Sequence, residues 1–87
     1  MIEVSLEYES YEGLHARPAT ALSDIAKSCQ GEVFMIHRDR VANVKNAVHL
    51  LALGIKKGSR ITVQVESEGD DEQQIMDEIL RVIKGIA

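Results

Sequence analysis

The chain has 87 residues, of which 45% are hydrophobic and only 3% aromatic. We therefore expect one domain, residues 1–87, with a small core of aliphatic side chains and a surface site rather than a deep cleft. The 14 acidic residues outnumber the 10 basic ones and give a net charge of −4. This balance argues against a nucleic-acid-binding protein, because such proteins present a basic surface.

Cysteine content and hydropathy indicate where in the cell the protein is expected. The single cysteine, Cys29, cannot form an intramolecular disulfide and is typical of a reducing environment. No apolar run approaches the roughly 18 residues of a membrane span. Acidic residues at positions 3, 7 and 9 interrupt the opening segment, which therefore does not resemble a secretory signal. We expect a soluble cytoplasmic protein without direct membrane insertion.

The first elements predicted along the chain are a strand and a helix. Residues 2–9 alternate between apolar and polar side chains, which is typical of a half-buried strand. Residues 16–27 repeat apolar side chains at helical spacing. Pro18 falls in the first turn of this helix, where a missing N–H costs nothing.

The middle of the chain predicts a hairpin and a short helix. Residues 32–36 form an apolar strand, residues 37–40 a polar turn, and residues 41–43 a second short strand. A short helix follows over residues 47–53, and Gly54 ends it.

A fourth strand and a third helix are predicted at the end. Residues 61–65 alternate in the manner of a strand. Asp70 is placed to cap the helix, with Gln73 completing a capping box. The inward stripe of this helix comprises Ile75, Met76, Ile79, Leu80 and Ile83. The order β-α-β-β-α-β-α predicts an α+β fold, an open-faced sandwich in which three helices cover one face of a four-stranded, mostly antiparallel sheet.

The segment between the first strand and the first helix carries the chemistry. Gly13 permits a tight turn there, and His15 lies at the amino end of the helix. Free N–H groups and the positive dipole end make this position an anion site. A neutral imidazole is a nucleophile near physiological pH, and Arg17 adds a permanently charged phosphate partner. The simpler interpretation is that His15 only caps the helix and Arg17 is a solvated surface residue.

Two stretches resemble a known family over essentially the whole chain. Gly13-Leu14-His15-Ala16-Arg17-Pro18-Ala19-Thr20 is similar to the active-site signature of HPr, the histidine-containing phosphocarrier of the phosphoenolpyruvate-dependent sugar phosphotransferase system. Residues 44–54, with the sequence Val-Lys-Asn-Ala-Val-His-Leu-Leu-Ala-Leu-Gly, form the second matching stretch.

The resemblance implies a phosphoryl relay. Enzyme I would phosphorylate His15 on the ring nitrogen nearer the backbone, and His15 would pass the group to IIA domains of sugar permeases. His15, Ala16 and Arg17 would hold the phosphate. The docking surface implied by the family comprises Leu14, Thr20, Ala47, Val48 and Leu51. The chain would be a phosphorylated intermediate rather than an independent enzyme, and a monomer with neither cofactor nor metal.

Three positions depart from the family pattern. Asn46 stands where many Gram-positive relatives carry a regulatory serine, so phosphorylation by the HPr kinase is not expected, although asparagine still caps a helix. Glu12 replaces a small polar residue and would repel phosphate unless it is solvated, which we expect. His49 replaces a small residue in the docking helix. These departures keep two alternatives open: a specialised HPr paralogue in a regulatory or nitrogen-related phosphorelay, and a non-phosphorylated HPr-like interaction module.

Other combinations of residues give weaker hypotheses. His15, His37, His49 and Cys29 lack the close spacing typical of a metal site. Lys56 and Lys57, without interleaved aromatic residues, do not predict a nucleic-acid surface.

Overall fold

The computed structural model describes residues 1–85, which form four strands and three helices. The elements are strand β1 (Ile2–Glu7), helix α1 (Ala16–Lys27), strands β2 (Gly31–His37) and β3 (Arg40–Asn43), helix α2 (Ala47–Leu51), strand β4 (Arg60–Ser67) and helix α3 (Glu72–Lys84). Their order, β-α-β-β-α-β-α, confirms the predicted one. No helix in this described part of the chain is both long and apolar enough to cross a membrane.

The four strands form one sheet in the order β1-β4-β2-β3. Every pairing in the described sheet is antiparallel. Val63 of the central strand β4 stands opposite Val4 on one side and Met35 on the other. The alternation that predicted β1 and β4 therefore aligns their apolar side chains on one face.

The helices cover that face and enclose the core. α1 packs against both α2 and α3. The fully buried side chains of the sheet are Val33, Met35, Ile61, Val63 and Val65. Ile75, Met76, Ile79 and Ile83 of the predicted α3 stripe are buried and Leu80 is half-buried, so the amphipathic pattern is confirmed.

His37 differs from the prediction of a polar turn. It is the last residue of β2 and is only 9% exposed. Its Nδ1 lies 2.9 Å from the carbonyl oxygen of Leu53, which can only accept, so Nδ1 carries the proton. The turn is therefore confined to Arg38 and Asp39, and Arg38 has a positive φ of 59°.

Helix α2 is shorter than predicted because it ends at Leu51 rather than Leu53. Its start is as expected, since the Asn46 side chain accepts hydrogen bonds from the N–H groups of Val48 and His49 at 3.0 and 3.2 Å. The prediction that asparagine caps this helix is confirmed.

The predicted capping of α3 by Asp70 and Gln73 is wrong. The N-cap residue is Asp71, and Gln73 donates to Asp77 instead. Two acidic side chains reach back to the end of β4, where Asp71 accepts from the Ser67 hydroxyl and Glu72 accepts from the Ser67 N–H. The Ser67 N–H, followed by the chain's terminal ammonium group, lowers the pKa of Glu72. Contacts to the strand therefore set where the helix begins.

Candidate functional site

His15 is the N-cap residue of α1, and its imidazole is not used for capping. The backbone is extended, with φ −118° and ψ −172°, and the side chain makes no cap hydrogen bond. The His15 carbonyl accepts the Ala19 N–H at 3.0 Å, so the helix begins directly after it. With 46% of its side chain exposed, the imidazole is accessible to a reacting partner.

Two backbone donors at the start of α1 make no hydrogen bond within residues 1–85. Pro18 has no N–H, and the N–H of Ala19 is engaged with His15. The N–H groups of Ala16 and Arg17 have no preceding turn to bond to. Together with the positive dipole end of the helix they form an anion site next to the imidazole.

The loop before His15 is held by the segment that follows α2. Gly13 has a positive φ of +71°, and a Cβ added there would lie 2.9 Å from the Ile55 carbonyl oxygen and 3.2 Å from Lys56 Cα. The Leu14 N–H donates to the same Ile55 carbonyl at 3.0 Å. The sequence predicts only a turn at Gly13, because nothing local signals its contact with a segment more than 40 positions later.

Glu12 lies beside His15 although it is largely solvated. One carboxylate oxygen, Oε2, is 3.3 Å from His15 Nε2, while 75% of the Glu12 side chain is exposed. The expectation of a solvated carboxylate is correct for its exposure, yet the carboxylate also contacts the imidazole. The contact involves the ring nitrogen farther from the backbone.

His15, Glu12 and Arg17 line one open surface depression of about 760 Å³. Arg17 is exposed and makes no ion pair within the described part of the chain. The remaining lining residues are Tyr8, Ser10, Ala16, Pro18, Ala21, Val82 and Gly85. Burial raises the pKa of Tyr8. The sequence predicts no site role for Tyr8, Ser10, Ala21, Val82 or Gly85. The last two are at the end of α3, which comes close to the site through its packing against α1.

The predicted docking residues divide by exposure. Thr20 is exposed, Val48 and Leu51 are 71% and 40% exposed, and Ala47 is half-buried. Leu14 differs, since it belongs to the core and is only 9% exposed. Its backbone bond to Ile55 turns the side chain inward, so Leu14 supports the loop from beneath rather than presenting a surface.

The other histidines and the cysteine do not converge on the site. Within residues 1–85 no group of three or more His, Cys, Asp or Glu side chains could hold a metal ion. Cys29 is buried, as expected of a packing residue. Lys57 lies over the exposed ring of Tyr11, 5.6 Å from its centroid.

Comparison with known proteins identifies the family. Residues 2–85 match the family described as PTS HPr component phosphorylation site. The HPr-like protein Crh of Halalkalibacterium halodurans is 33% identical over 84 residues, covering 97% of this chain and 98% of Crh. The phosphocarrier protein HPr of Mycoplasma pneumoniae is 33% identical over 73 residues, covering 83% of this chain and 81% of that protein.

Solved structures show the same fold. A mycoplasmal histidine-containing phosphocarrier protein superposes with a TM-score of 0.85 at 28% identity, covering 97% of this chain and 93% of that one. The chain therefore belongs to the HPr family of phosphocarrier proteins of the phosphotransferase system.

Proposed function

We propose that His15 carries a phosphoryl group, accepting it from phosphorylated Enzyme I and passing it to IIA domains of sugar permeases. The observation that carries the proposal is the position of an accessible imidazole at the N-cap of α1 with no cap bond of its own. A histidine that only capped the helix would use its side chain for that bond. Membership in the HPr family supports a donor and an acceptor that belong to the phosphotransferase system.

The chemistry assigned to the site is nucleophilic transfer through a phosphohistidine. Nδ1 of His15 attacks the phosphorus, and the N–P bond that forms stays reactive enough to be broken again by the next acceptor. The free N–H groups of Ala16 and Arg17, with the Arg17 guanidinium, neutralise the bound group. The chain is not an independent enzyme under this proposal, because each partner supplies the remaining transition-state stabilisation.

Docking is assigned to the exposed side chains of α1 and α2 near His15. Thr20 lies on α1, while Val48 and Leu51 lie on α2, and Ala47 is half-buried between them and the core. A small apolar surface suits a carrier that must release one partner before it meets the next.

The test is the intact mass after incubation with phosphoenolpyruvate, Mg²⁺ and a bacterial Enzyme I. We expect the wild-type chain to gain one acid-labile phosphoryl group and His15→Ala to gain none. His49→Ala is the matched control, since it removes an exposed histidine outside the site. Phosphate on His15→Ala, or none on the wild type with several Enzyme I homologues, would overturn the proposal.

The contribution of Arg17 is tested by two variants. Arg17→Ala removes the charge, and Arg17→Lys keeps the charge but loses the planar, bidentate fork. We expect phosphorylation to slow about tenfold or more in the alanine variant, as loss of a charged hydrogen-bond partner worth roughly 1.5–3 kcal/mol implies. Lysine should restore part of the rate.

A specialised relay is the second candidate, and three observations favour it. Asn46 has no hydroxyl and uses its amide oxygen to cap α2, Glu12 contacts His15, and His49 is exposed on α2. Offering the phosphorylated chain to a panel of IIA domains of sugar permeases and of nitrogen-related relays would decide between the two. Transfer to nitrogen-related domains alone would favour the specialised relay.

A further inference from the structure

The contact between Glu12 and His15 involves the ring nitrogen that the proposed relay does not use. Glu12 Oε2 lies 3.3 Å from His15 Nε2, whereas the proposed acceptor atom is Nδ1. An ionised carboxylate attracts a proton and cannot donate one, so it favours the tautomer with the proton on Nε2. A neutral imidazole protonated on Nε2 has its free lone pair on Nδ1.

We propose that Glu12 is a positioning residue that keeps the His15 proton on Nε2 and thereby makes Nδ1 the nucleophile. The same carboxylate then stabilises the positive charge that the ring gains when Nδ1 is phosphorylated. This inference rests on the phosphocarrier function proposed above. A carboxylate holds a catalytic imidazole in one tautomer and stabilises its cation in the same way in Ser-His-Asp triads.

The transfer steps balance with the proton on Nε2 throughout. The Nδ1 lone pair forms the N–P bond, and the bond between phosphorus and the donor breaks, with its electron pair leaving on the donor. The ring is then a phosphoimidazolium whose protonated Nε2 lies beside Glu12. When an acceptor attacks the phosphorus, the N–P bond breaks and its electron pair returns to Nδ1. Because the proton stays on Nε2, the ring leaves as a neutral imidazole rather than as an imidazolide anion, so the Nε2 proton that Glu12 favours assists donation as well as acceptance.

Repulsion between Glu12 and the phosphoryl group is the opposing effect. The carboxylate contacts Nε2 rather than Nδ1, where the N–P bond is proposed to form, and it is 75% exposed. Water therefore screens the repulsion between Glu12 and a phosphoryl group on Nδ1 more than it screens the direct contact between Glu12 and Nε2. In the proposed transfer, the N–H groups of Ala16 and Arg17 at the start of α1 offset the phosphoryl charge. The sequence predicts only a solvated Glu12 with little effect on phosphorylation, whereas the contact with Nε2 gives this carboxylate a favourable role in the proposed transfer.

The first measurement is the tautomer of His15 from ring ¹⁵N chemical shifts at a pH where the imidazoles are neutral. The chain contains two internal references: His37, whose Nδ1 proton is fixed by the Leu53 carbonyl, and His49, whose exposed ring makes no hydrogen bond within residues 1–85. We expect His15 to have a higher Nε2–H fraction than His49. Glu12→Gln should lower that fraction, and Glu12→Lys should lower it below that of His49.

The second measurement is the rate of phosphoryl transfer into and out of His15. Exposed ion pairs contribute modestly, so Glu12→Gln should slow both directions by about two- to fivefold. Glu9→Gln is the matched control, because it removes an exposed carboxylate from the same loop and does not line the depression. We expect Glu9→Gln to transfer at the wild-type rate.

The outcomes separate this inference from the proposed function. An unchanged His15 tautomer in Glu12→Gln, or faster transfer in that variant, would overturn the role of Glu12 even if the chain is a phosphocarrier. A wild-type chain that is never phosphorylated would overturn the proposed function. In that case the ring ¹⁵N shifts still decide whether Glu12 sets the tautomer.

Discussion

Gly13 is the residue whose backbone most directly supports His15. Its φ of +71° disfavours any side chain, and an added Cβ would lie 2.9 Å from a backbone oxygen that cannot move freely. We expect Gly13→Ala to destabilise the fold by the left-handed conformation, about 1–2 kcal/mol, plus an overpacking term of about 1–3 kcal/mol. The displaced loop should also slow phosphorylation of His15.

Gly54 provides the matched control for Gly13. It has a similar φ of +67°, but an added Cβ there would meet nothing within 4 Å. Urea unfolding of Gly13→Ala and Gly54→Ala would separate the two terms, because only the first variant includes the collision with Ile55. Equal losses of stability would show that the contact between the two loops contributes nothing beyond the backbone conformation.

Residues of the site and of the fold around it differ in how far the sequence could predict them. His15 and Arg17 are predictable because a strand, a glycine and a proline place the helix start locally. The burial of Leu14 and His37 is not predictable from local sequence, since each residue bonds to a carbonyl of a distant segment. Leu14 donates to Ile55, and His37 donates to Leu53. The contact of Glu12 with Nε2 depends on side-chain conformation, which periodicity does not encode.

One buried hydroxyl links α1 to the start of α2. Ser23 of α1 is 3% exposed, and its Oγ donates at 2.8 Å to the carbonyl of Lys45, the residue before the α2 cap. We expect Ser23→Ala to lower the free energy of unfolding by roughly 1–2 kcal/mol, because the carbonyl loses its donor in a buried setting. Hydrogen exchange at Val48 and His49, whose amides bond to Asn46, should quicken.

Ser28→Ala is the control for this prediction. Ser28 is exposed at the end of α1 and its hydroxyl donates to Ile25 within the same helix. Its removal should change stability by less than about 0.5 kcal/mol and leave exchange in α2 unaffected. Equal effects of the two variants would mean that the link between Ser23 and Lys45 does not position α2.

Whole elements were easier to predict than their ends. Alternation identified β1 and β4, and helical periodicity identified α1 and α3, because burial of one face determines these elements. The sequence predicts the N-cap of α3 one residue too early, because three adjacent acidic residues offer similar caps. Ser67 selects among them through hydrogen bonds to Asp71 and Glu72, and this tertiary choice is invisible to a local pattern.

At the scale of the molecule, the site forms where four separate segments meet. The loop before His15, the start of α1 and the end of α3 line the depression, and the segment after α2 holds the loop in place. Tyr8 belongs both to the core and to the lining of this depression. It is 1% exposed, its N–H donates to Ser59 and its carbonyl accepts from Gly58, and it also lines the depression. Ionisation of the buried Tyr8 phenol should therefore affect both the stability of the fold and the depression that contains His15.

Tyr8 should limit stability at alkaline pH. Burial raises its pKa above the ordinary value of 10.0, because the phenolate would be poorly solvated. The unfolded chain ionises this phenol near pH 10, whereas the folded chain keeps it neutral to higher pH. Its contribution is therefore complete below pH 10 and is lost as the pH rises through the folded-state pKa. We expect the midpoint of thermal unfolding to fall above pH 10 less steeply in Tyr8→Phe than in the wild type.

The chain's second tyrosine supplies the comparison. Tyr11 is 86% exposed, so its surroundings change little on unfolding, and Tyr11→Phe should retain the alkaline decline of the wild type. Thermal unfolding of the three proteins between pH 7 and pH 11 would separate a specific effect of Tyr8 from general charge repulsion, which all three share. If Tyr8→Phe and Tyr11→Phe decline alike, ionisation of the buried phenol is not what destabilises the fold. If only Tyr8→Phe keeps a high unfolding midpoint above pH 10, the alkaline limit of the fold is set by a residue that lines the depression containing His15.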